Sequence, residues 1–318
     1  MAAPVRLLVN PAAGGGRAAR VAPVAVEALR ALGLTVERSD TRSLEHAREL
    51  AREAARAGET VVGVSGDGLL GALADELRAH PGSVLGIVPG GRGNDFARVL
   101  GIPNDAHAAA AIIADGNLQS VDLGIVHARD AEARAFVGIA SAGFDSDANR
   151  IANEAPPWLG ALVYAYGALR ALAAWRPASF EIELDPPGER HTIVGYSVGA
   201  ANSKAYGGGM RAAPGAMLDD GLLDVMVLGA VSKRVFLTRI LPRVFKGTHV
   251  EEPAVKVFRA REISLSSDRP FSMYADGDPI GDLPLRVSAA RAAITVLTPR
   301  TPPPDSAFAP GAAVAGGA

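Results

Sequence analysis

The chain has 318 residues, enough for two domains of ordinary size. With 48% hydrophobic and 21% charged residues it can build packed cores, and a net charge of −2 argues against a nucleic-acid binder that works by phosphate attraction. The absence of cysteine excludes disulfides, thiolate metal sites and cysteine nucleophiles.

The first predicted element is a strand at Val5–Asn10. No signal-peptide pattern precedes it, so a cytoplasmic protein is expected. A helix follows at Ala18–Leu32, then a strand at Thr35–Arg38, a helix at Leu44–Ala57 and a strand at Thr60–Val64. Leu69, Leu70, Leu73 and Leu77 have helical spacing and predict a helix over Leu69–His80. Val84–Val88 reads as a strand, and Asp95–Leu100 and Ala106–Asp115 as helices. This alternation implies a parallel sheet covered by helices.

From about Val121 the pattern changes. Strands are expected at Val121–His127, Ala135–Ala140, Ser179–Leu184, His191–Ala200, Leu223–Leu228, Ala254–Phe258, Glu262–Leu265, Phe271–Ala275 and Ala293–Leu297. Helices are expected at Leu159–Ala174 and Lys233–Val244. The fold class is therefore α/β plus β: an α/β domain over 1–125 and a β-rich sandwich or barrel over 126–299, whose last strand is free to return to the first domain. The Pro-, Ala- and Gly-rich stretch 300–318 is expected to be a disordered tail. No apolar run reaches the length of about 18 residues expected of a membrane span.

Three glycine loops follow predicted strands: Asn10-Pro11-Ala12-Ala13-Gly14-Gly15-Gly16, Ser65-Gly66-Asp67-Gly68, and Pro89-Gly90-Gly91-Arg92-Gly93-Asn94-Asp95. Each opens on a helix. In a parallel sheet the carboxyl ends of the strands form the ligand crevice. Backbone N–H groups at a helix start can hold a phosphate, and glycine lets it approach. Asp67 would repel phosphate, so its use in such a turn is to hold a metal ion or orient its water. The pattern points to metal-assisted nucleotide chemistry, against the alternative of three unrelated turns in which Asn94 or Asp95 only caps a helix.

The second half carries Asn202-Ser203-Lys204-Ala205-Tyr206-Gly207-Gly208-Gly209-Met210 and Met217-Leu218-Asp219-Asp220-Gly221-Leu222-Leu223-Asp224. The acids suit a hard cation, or equally a solvated hairpin turn. Asp276-Gly277-Asp278 is either a hairpin turn or the source of a carboxylate that accepts a proton from a substrate hydroxyl.

Taken in order, Asn10-Pro11…Gly14, Gly66-Asp67-Gly68, Gly93-Asn94-Asp95-Phe96-Ala97-Arg98, Val121-Asp122, Gly143-Phe144-Asp145, Gly207-Gly208-Gly209-Met210, Asp220-Gly221-Leu222-Leu223-Asp224 and Asp276-Gly277-Asp278 resemble the diacylglycerol kinase catalytic family, in its soluble bacterial lipid kinase branch. The resemblance runs from about Val5 to Leu297 and extends more distantly to sphingosine kinases and NAD kinases. It implies transfer of the ATP γ-phosphoryl group to a lipid hydroxyl, diacylglycerol first, giving phosphatidic acid. It also implies a nucleotide domain similar to that of NAD kinases, a β-rich second domain and a cleft between them. ATP would be held by Asn10, Pro11, Gly14, Thr41, Ser65, Gly66, Asp67, Gly68, Gly91, Arg92 and Asn94. Asp67, Asp95 and Asp122 would organise the catalytic magnesium, partly through water. Asp220, with carbonyl groups of Met217 and Leu222, would hold a structural magnesium. Asp276 and Asp278 would supply the catalytic base, beside Asp67.

Three positions depart from the family: Leu69 and Arg92 stand where threonines are usual, and Asp278 where Glu is usual. The lipid tails are expected against Trp158, Leu159, Leu162, Tyr164 and Tyr166, with core packing as the alternative for these side chains. A lipid at the inner face of the membrane is the expected partner, and a homodimer stays open. The rival readings are a NAD kinase-like or sphingosine kinase-like enzyme, or a catalytically silent nucleotide- or lipid-binding regulator.

Overall fold

A computed structural model describes residues 3–308 apart from Asp130, Pro157, Trp158, Gly160 and Ala161. The amino-terminal elements are β1 (Val5–Val9), α1 (Ala13–Ala31), β2 (Val36–Asp40), α2 (Leu44–Arg56), β3 (Thr60–Ser65), α3 (Asp67–Leu77), β4 (Val84–Pro89), α4 (Asp95–Val99) and α5 (Ala106–Asp115). Strands β4, β3, β1 and β2 lie in that order and pair in parallel. Leu7, Leu8, Val61, Val62 and Leu85 are fully buried, as expected of a sheet covered on both faces. Small side chains let a helix lie close to the sheet: α2 turns Ala47, Ala51 and Ala54 inward, and Ser43 caps it by accepting from the His46 N–H.

The later strands are β5 (Leu118–Ala128), β6 (Arg134–Phe136), β7 (Ile139–Gly143), β8 (Ala178–Leu184), β9 (Arg190–Ala201), β10 (Leu223–Gly229), β11 (Val255–Ala260), β12 (Glu262–Ser267), β13 (Ser272–Ala275), β14 (Asp278–Asp282) and β15 (Leu285–Leu297). Helices α6 (Phe144–Asn153) and α7 (Val163–Ala174) lie between β7 and β8. A further helical segment runs from Lys233 to Val244, with a π-turn at Phe236–Ile240. Strands β14, β13, β7, β9, β8, β12 and the start of β15 neighbour one another in that order, all antiparallel, and β10 joins β9 to β11. Their core is rich in rings: Phe236 stacks on Tyr196 at 5.1 Å and meets Phe144 edge-on at 4.9 Å.

The chain divides into two compact units. The α/β unit takes residues up to Leu123, then Met217–Gly221, then the chain from Ala290; the β-rich unit takes Gly124–Ala216 and Leu222–Ala289. The end of β15 lies in the α/β unit, where Thr295 and Val296 run parallel to β4.

Several sequence expectations need correction. The predicted strand Ala135–Ala140 is two strands, because the Val137 and Gly138 N–H groups turn to the Asp276 carboxylate instead of a neighbouring strand. The helix expected from Leu69 starts at Asp67, so the Asp67-Gly68 pair is its first turn. Helix α6 and strand β14 were not expected. Residues 300–308 are not a disordered tail: Ala307 donates to Val99 O and accepts from the Leu218 N–H, and Ser306, Ala307 and Phe308 are buried. Residues 309–318 of that expected tail lie outside the described residues.

Candidate active site

The three glycine loops come together at the carboxyl ends of β1, β3 and β4. A Cβ added to Gly91 would stand 2.3 Å from Gly66 Cα, and one added to Gly14 would stand 2.5 Å from Gly90 O. Only backbone without side chains can pack this closely. The Gly90 N–H donates to Ser65 O at 2.8 Å, which ties two of the loops. Gly14, Gly15 and Gly16 have φ of 61°, 65° and 84°, a left-handed run that glycine tolerates. Helix α3 is preceded by Gly66, which has no side chain to cap it. A helix start that opens on glycine attracts anions.

The other predicted nucleotide residues lie around this cradle. Asn10 Oδ1 accepts from the Ala12 N–H at 3.1 Å and shapes the first loop, which also contains Pro11. Thr41 donates both its N–H and its hydroxyl to Val9 O, at 2.7 and 3.1 Å. Ser65 is buried at the end of β3. Asn94, at φ 53°, accepts from the Gly91 N–H at 2.8 Å and so holds the third loop closed. Arg92 is exposed. Leu69 is buried in the core of the α/β unit, so apolar packing has taken over the position where a hydroxyl was expected.

The three acids expected to organise a magnesium, partly through water, each have partners of their own. Asp67 accepts from the N–H groups of Asp95 (3.1 Å) and Phe96 (2.9 Å), so its carboxylate caps α4. Burial raises its pKa despite these amides, and the neighbouring Asp95 charge raises it further. Asp95 is paired with Arg98. Asp122 instead accepts from the N–H groups of Gly221 and Ala292, both at 2.6 Å. Burial raises its pKa first, and Asp220 and Asp219 add to the rise. Asp122 therefore belongs with the Asp219–Asp220 turn, and Asp67 with Asp95. Met217 and Asp220 are in the α/β unit, whereas Leu222 is in the β-rich unit. Among the described residues no three His, Cys, Asp or Glu side chains gather to hold a metal ion.

In the β-rich unit Asp276 and Asp278 have different surroundings. The two Asp276 oxygens accept from the Val137 and Gly138 N–H groups, each at 2.9 Å, and Asp276 itself has φ of 52°. It holds the turn. Asp278 opens β14, and burial raises its pKa while the Arg134 charge pulls the other way.

The β-rich unit also contains an apolar cavity of about 140 Å³. Phe144, Phe236, Ile240, Leu241 and Val244 contribute to its wall, with Asp145 and Tyr206 as polar members. Burial raises the Asp145 carboxyl to about 6 against a hydrogen bond from Ser197, and pushes the Tyr206 hydroxyl well above its ordinary range. Sequence reasoning missed this cavity, although Gly143-Phe144-Asp145 was a visible motif. Leu159, Leu162 and Tyr166 do not line it. Trp158 lies outside the described residues, and Tyr164 belongs to α7.

A parallel sheet whose glycine turns meet over an open helix start has the layout of the phosphate-binding α/β proteins. Residues 4–126 match the diacylglycerol kinase catalytic domain, and residues 138–298 match the YegS C-terminal NAD kinase beta sandwich-like domain. The chain is 35% identical over 299 residues to a diacylglycerol kinase of Mycobacterium tuberculosis, covering 93% of this chain and 95% of the relative. It is 31% identical over 282 residues to a YegS-like lipid kinase of Pseudomonas fluorescens, covering 88% and 91%. A crystal structure of a diacylglycerol kinase from Bacillus anthracis superposes with a TM-score of 0.71 at 20% identity, covering 93% of this chain and 97% of that one. The chain belongs to the family of diacylglycerol kinase-like lipid kinases, and membership of a kinase family implies the use of ATP. No described helix is long and apolar enough to cross a membrane.

Proposed function

We propose that the chain transfers the γ-phosphoryl group of ATP to the hydroxyl of diacylglycerol, giving phosphatidic acid and ADP. The observation that carries the phosphate half of this reading is the convergence of Gly14, Gly66 and Gly91 at the start of α3. The relatives' names support a diacylglycerol acceptor. In this reading the first amides of α3 and the exposed Arg92 bind phosphate oxygens. The acceptor oxygen bonds to the γ-phosphorus, the bond to the β–γ bridging oxygen breaks, and the hydroxyl proton passes to Asp278. Asp276 positions Asp278 by fixing the turn before it. The apolar cavity of the β-rich unit would receive lipid chain.

The residues fit magnesium at Asp67 and Asp95. The Asp67 oxygens accept the Asp95 and Phe96 amides and keep lone-pair capacity, and a half-buried acid beside the buried Asp95 favours a cation. Magnesium commonly uses one or two carboxylates plus phosphate oxygens and water. When bound, it would neutralise charge on the transferring phosphate.

The test is label transfer from γ-labelled ATP in detergent micelles containing diacylglycerol, sphingosine or no lipid, with a separate NAD arm. Labelled phosphatidic acid is the expected product. Label in sphingosine or NAD alone would move the acceptor, and ATP–magnesium binding without transfer to any acceptor would make the chain a silent binder.

A further inference from the structure

The helical segment that walls the apolar cavity has a second face. Phe236, Ile240, Leu241 and Val244 line the cavity, whereas Leu237 (38% exposed) and Phe245 (56% exposed) stand out in solvent. Leu237 lies in the π-turn and Phe245 follows directly on the end of the segment, eight residues on. Between Asp224 and Glu251 the sequence has five cations, Lys233, Arg234, Arg239, Arg243 and Lys246, and no acid. The buried Glu252 carboxylate pairs with Arg239 and Arg243. Arg234 and Lys246 are exposed, and Lys233 donates to Ala173 O at 2.7 Å. The outer face thus combines two exposed apolar anchors with a surplus of positive charge on a chain whose overall charge is −2.

We infer that this face docks on an anionic phospholipid surface. Leu237 and Phe245 would enter the boundary between headgroups and acyl chains, and Lys233, Arg234 and Lys246 would lie among the phosphates. Charge complementarity decides the occupant. An uncharged lipid surface would leave the cations without partners. An acidic protein would match the cations but has less use for two protruding apolar side chains eight residues apart. The inference deepens the proposed lipid kinase function: one helical segment would meet the membrane on one side and wall the apolar cavity on the other. The irregular π-turn at Phe236–Ile240 contains the first anchor, Leu237.

The test is co-sedimentation of the full chain with vesicles of phosphatidylcholine alone or with about 30% phosphatidylglycerol. It is run on the native chain, on Arg234→Gln/Lys246→Gln and on Leu237→Ser/Phe245→Ser. The expected result is binding to the anionic vesicles only, weakened by salt. The Gln pair should lower the partition coefficient about 25-fold, taking roughly fivefold per basic residue. The Ser pair should also weaken binding while leaving transfer to diacylglycerol in nonionic detergent micelles unchanged. Equal binding of all three proteins, or native binding independent of anionic lipid, would overturn the inference. So would native binding that is absent from both vesicle types while an acidic protein is retained through the same cations. Vesicle binding through this face without label transfer would uphold the surface and refute the kinase reading. Label transfer in micelles with unaltered vesicle binding by both variants would do the reverse.

Discussion

Substituting Gly91 by Ala tests whether the contact between glycine loops organises the nucleotide site. The added Cβ would stand 2.3 Å from Gly66 Cα and 2.8 Å from Gly66 N, about 1 Å short of ordinary contact. Both neighbours are backbone, so no side chain can rotate away. One loop must move by about that distance. The expected stability loss is that of an overpacked site, about 1–3 kcal/mol. The functional loss should be larger in proportion: a displacement of about 1 Å at a reacting group can lower the rate about 100-fold. The assay is kcat/KM for ATP with diacylglycerol in micelles, beside urea unfolding of the same preparation. Gly33→Ala is the control, since Gly33 has φ of 85° and nothing within 4 Å of its added Cβ. It should lose about 1 kcal/mol through backbone strain and leave kcat/KM intact. A folded Gly91→Ala protein with native kcat/KM would refute the idea that this contact shapes the ATP site.

Other substitutions separate holding from chemistry. Asp67→Asn leaves one oxygen for two amides and points an NH2 group at the second, so it should lose about 1–3 kcal/mol in urea unfolding as well as turnover; unchanged turnover would remove Asp67 from the mechanism. Asp278→Asn should abolish turnover with little change in melting temperature. Asp276→Asn should lower the melting temperature, because one of the Val137 and Gly138 amides loses its acceptor. Asp145 predicts a pH dependence. Its folded pKa, about 6, is above its ordinary 3.8, so the neutral acid is favoured in the fold. The stabilisation is complete below about pH 4 and is lost as pH rises through 6, a total of about 3 kcal/mol. Asp145→Asn should not share this loss, so its stability relative to the native chain should increase by up to that amount between pH 4 and 7.5. A difference that stays flat with pH would refute this reading.

The α/β half was legible because its signals are local. Fully apolar strands such as Val61–Val64 and glycine turns at their ends define parallel strand–turn–helix units without distant information. The contact of Gly66 with Gly91 was anticipated only as a shared crevice; the sequence cannot measure how closely two turns approach. The β-rich half was less legible. Strand β14 was missed because Pro279 and Gly281 weaken its strand pattern, whereas its pairing with β13 decides its conformation. Residues 300–308 looked like a low-complexity tail because their Pro-rich composition hides two long-range backbone hydrogen bonds. The apolar cavity was invisible because its wall draws on α6, β9, the loop with Tyr206, β10 and the segment at 233–244 among others, none of which announces the rest.

The aspartates show why a motif identifies an acid more readily than its task. Asp67, Asp122 and Asp276 each hold two backbone amides that join segments far apart in sequence. Asp185 does the same with the amides of Arg261 and Glu262, outside every motif considered for chemistry. Carboxylates suit this work because their two oxygens can satisfy two buried N–H groups at once. Sequence spacing cannot separate such a tie from an acid that meets substrate: Asp276, a tie, and Asp278, the proposed proton acceptor, stand two residues apart. Loss of activity in an Asp276 variant would therefore be ambiguous by itself. The discriminating measurement is the pair of Asp276→Asn and Asp278→Asn, each read for melting temperature and turnover. A tie loses stability first and activity as a consequence. A proton acceptor loses turnover in a protein that still melts as the native chain does. If Asp278→Asn melts early and Asp276→Asn does not, the assigned roles are reversed.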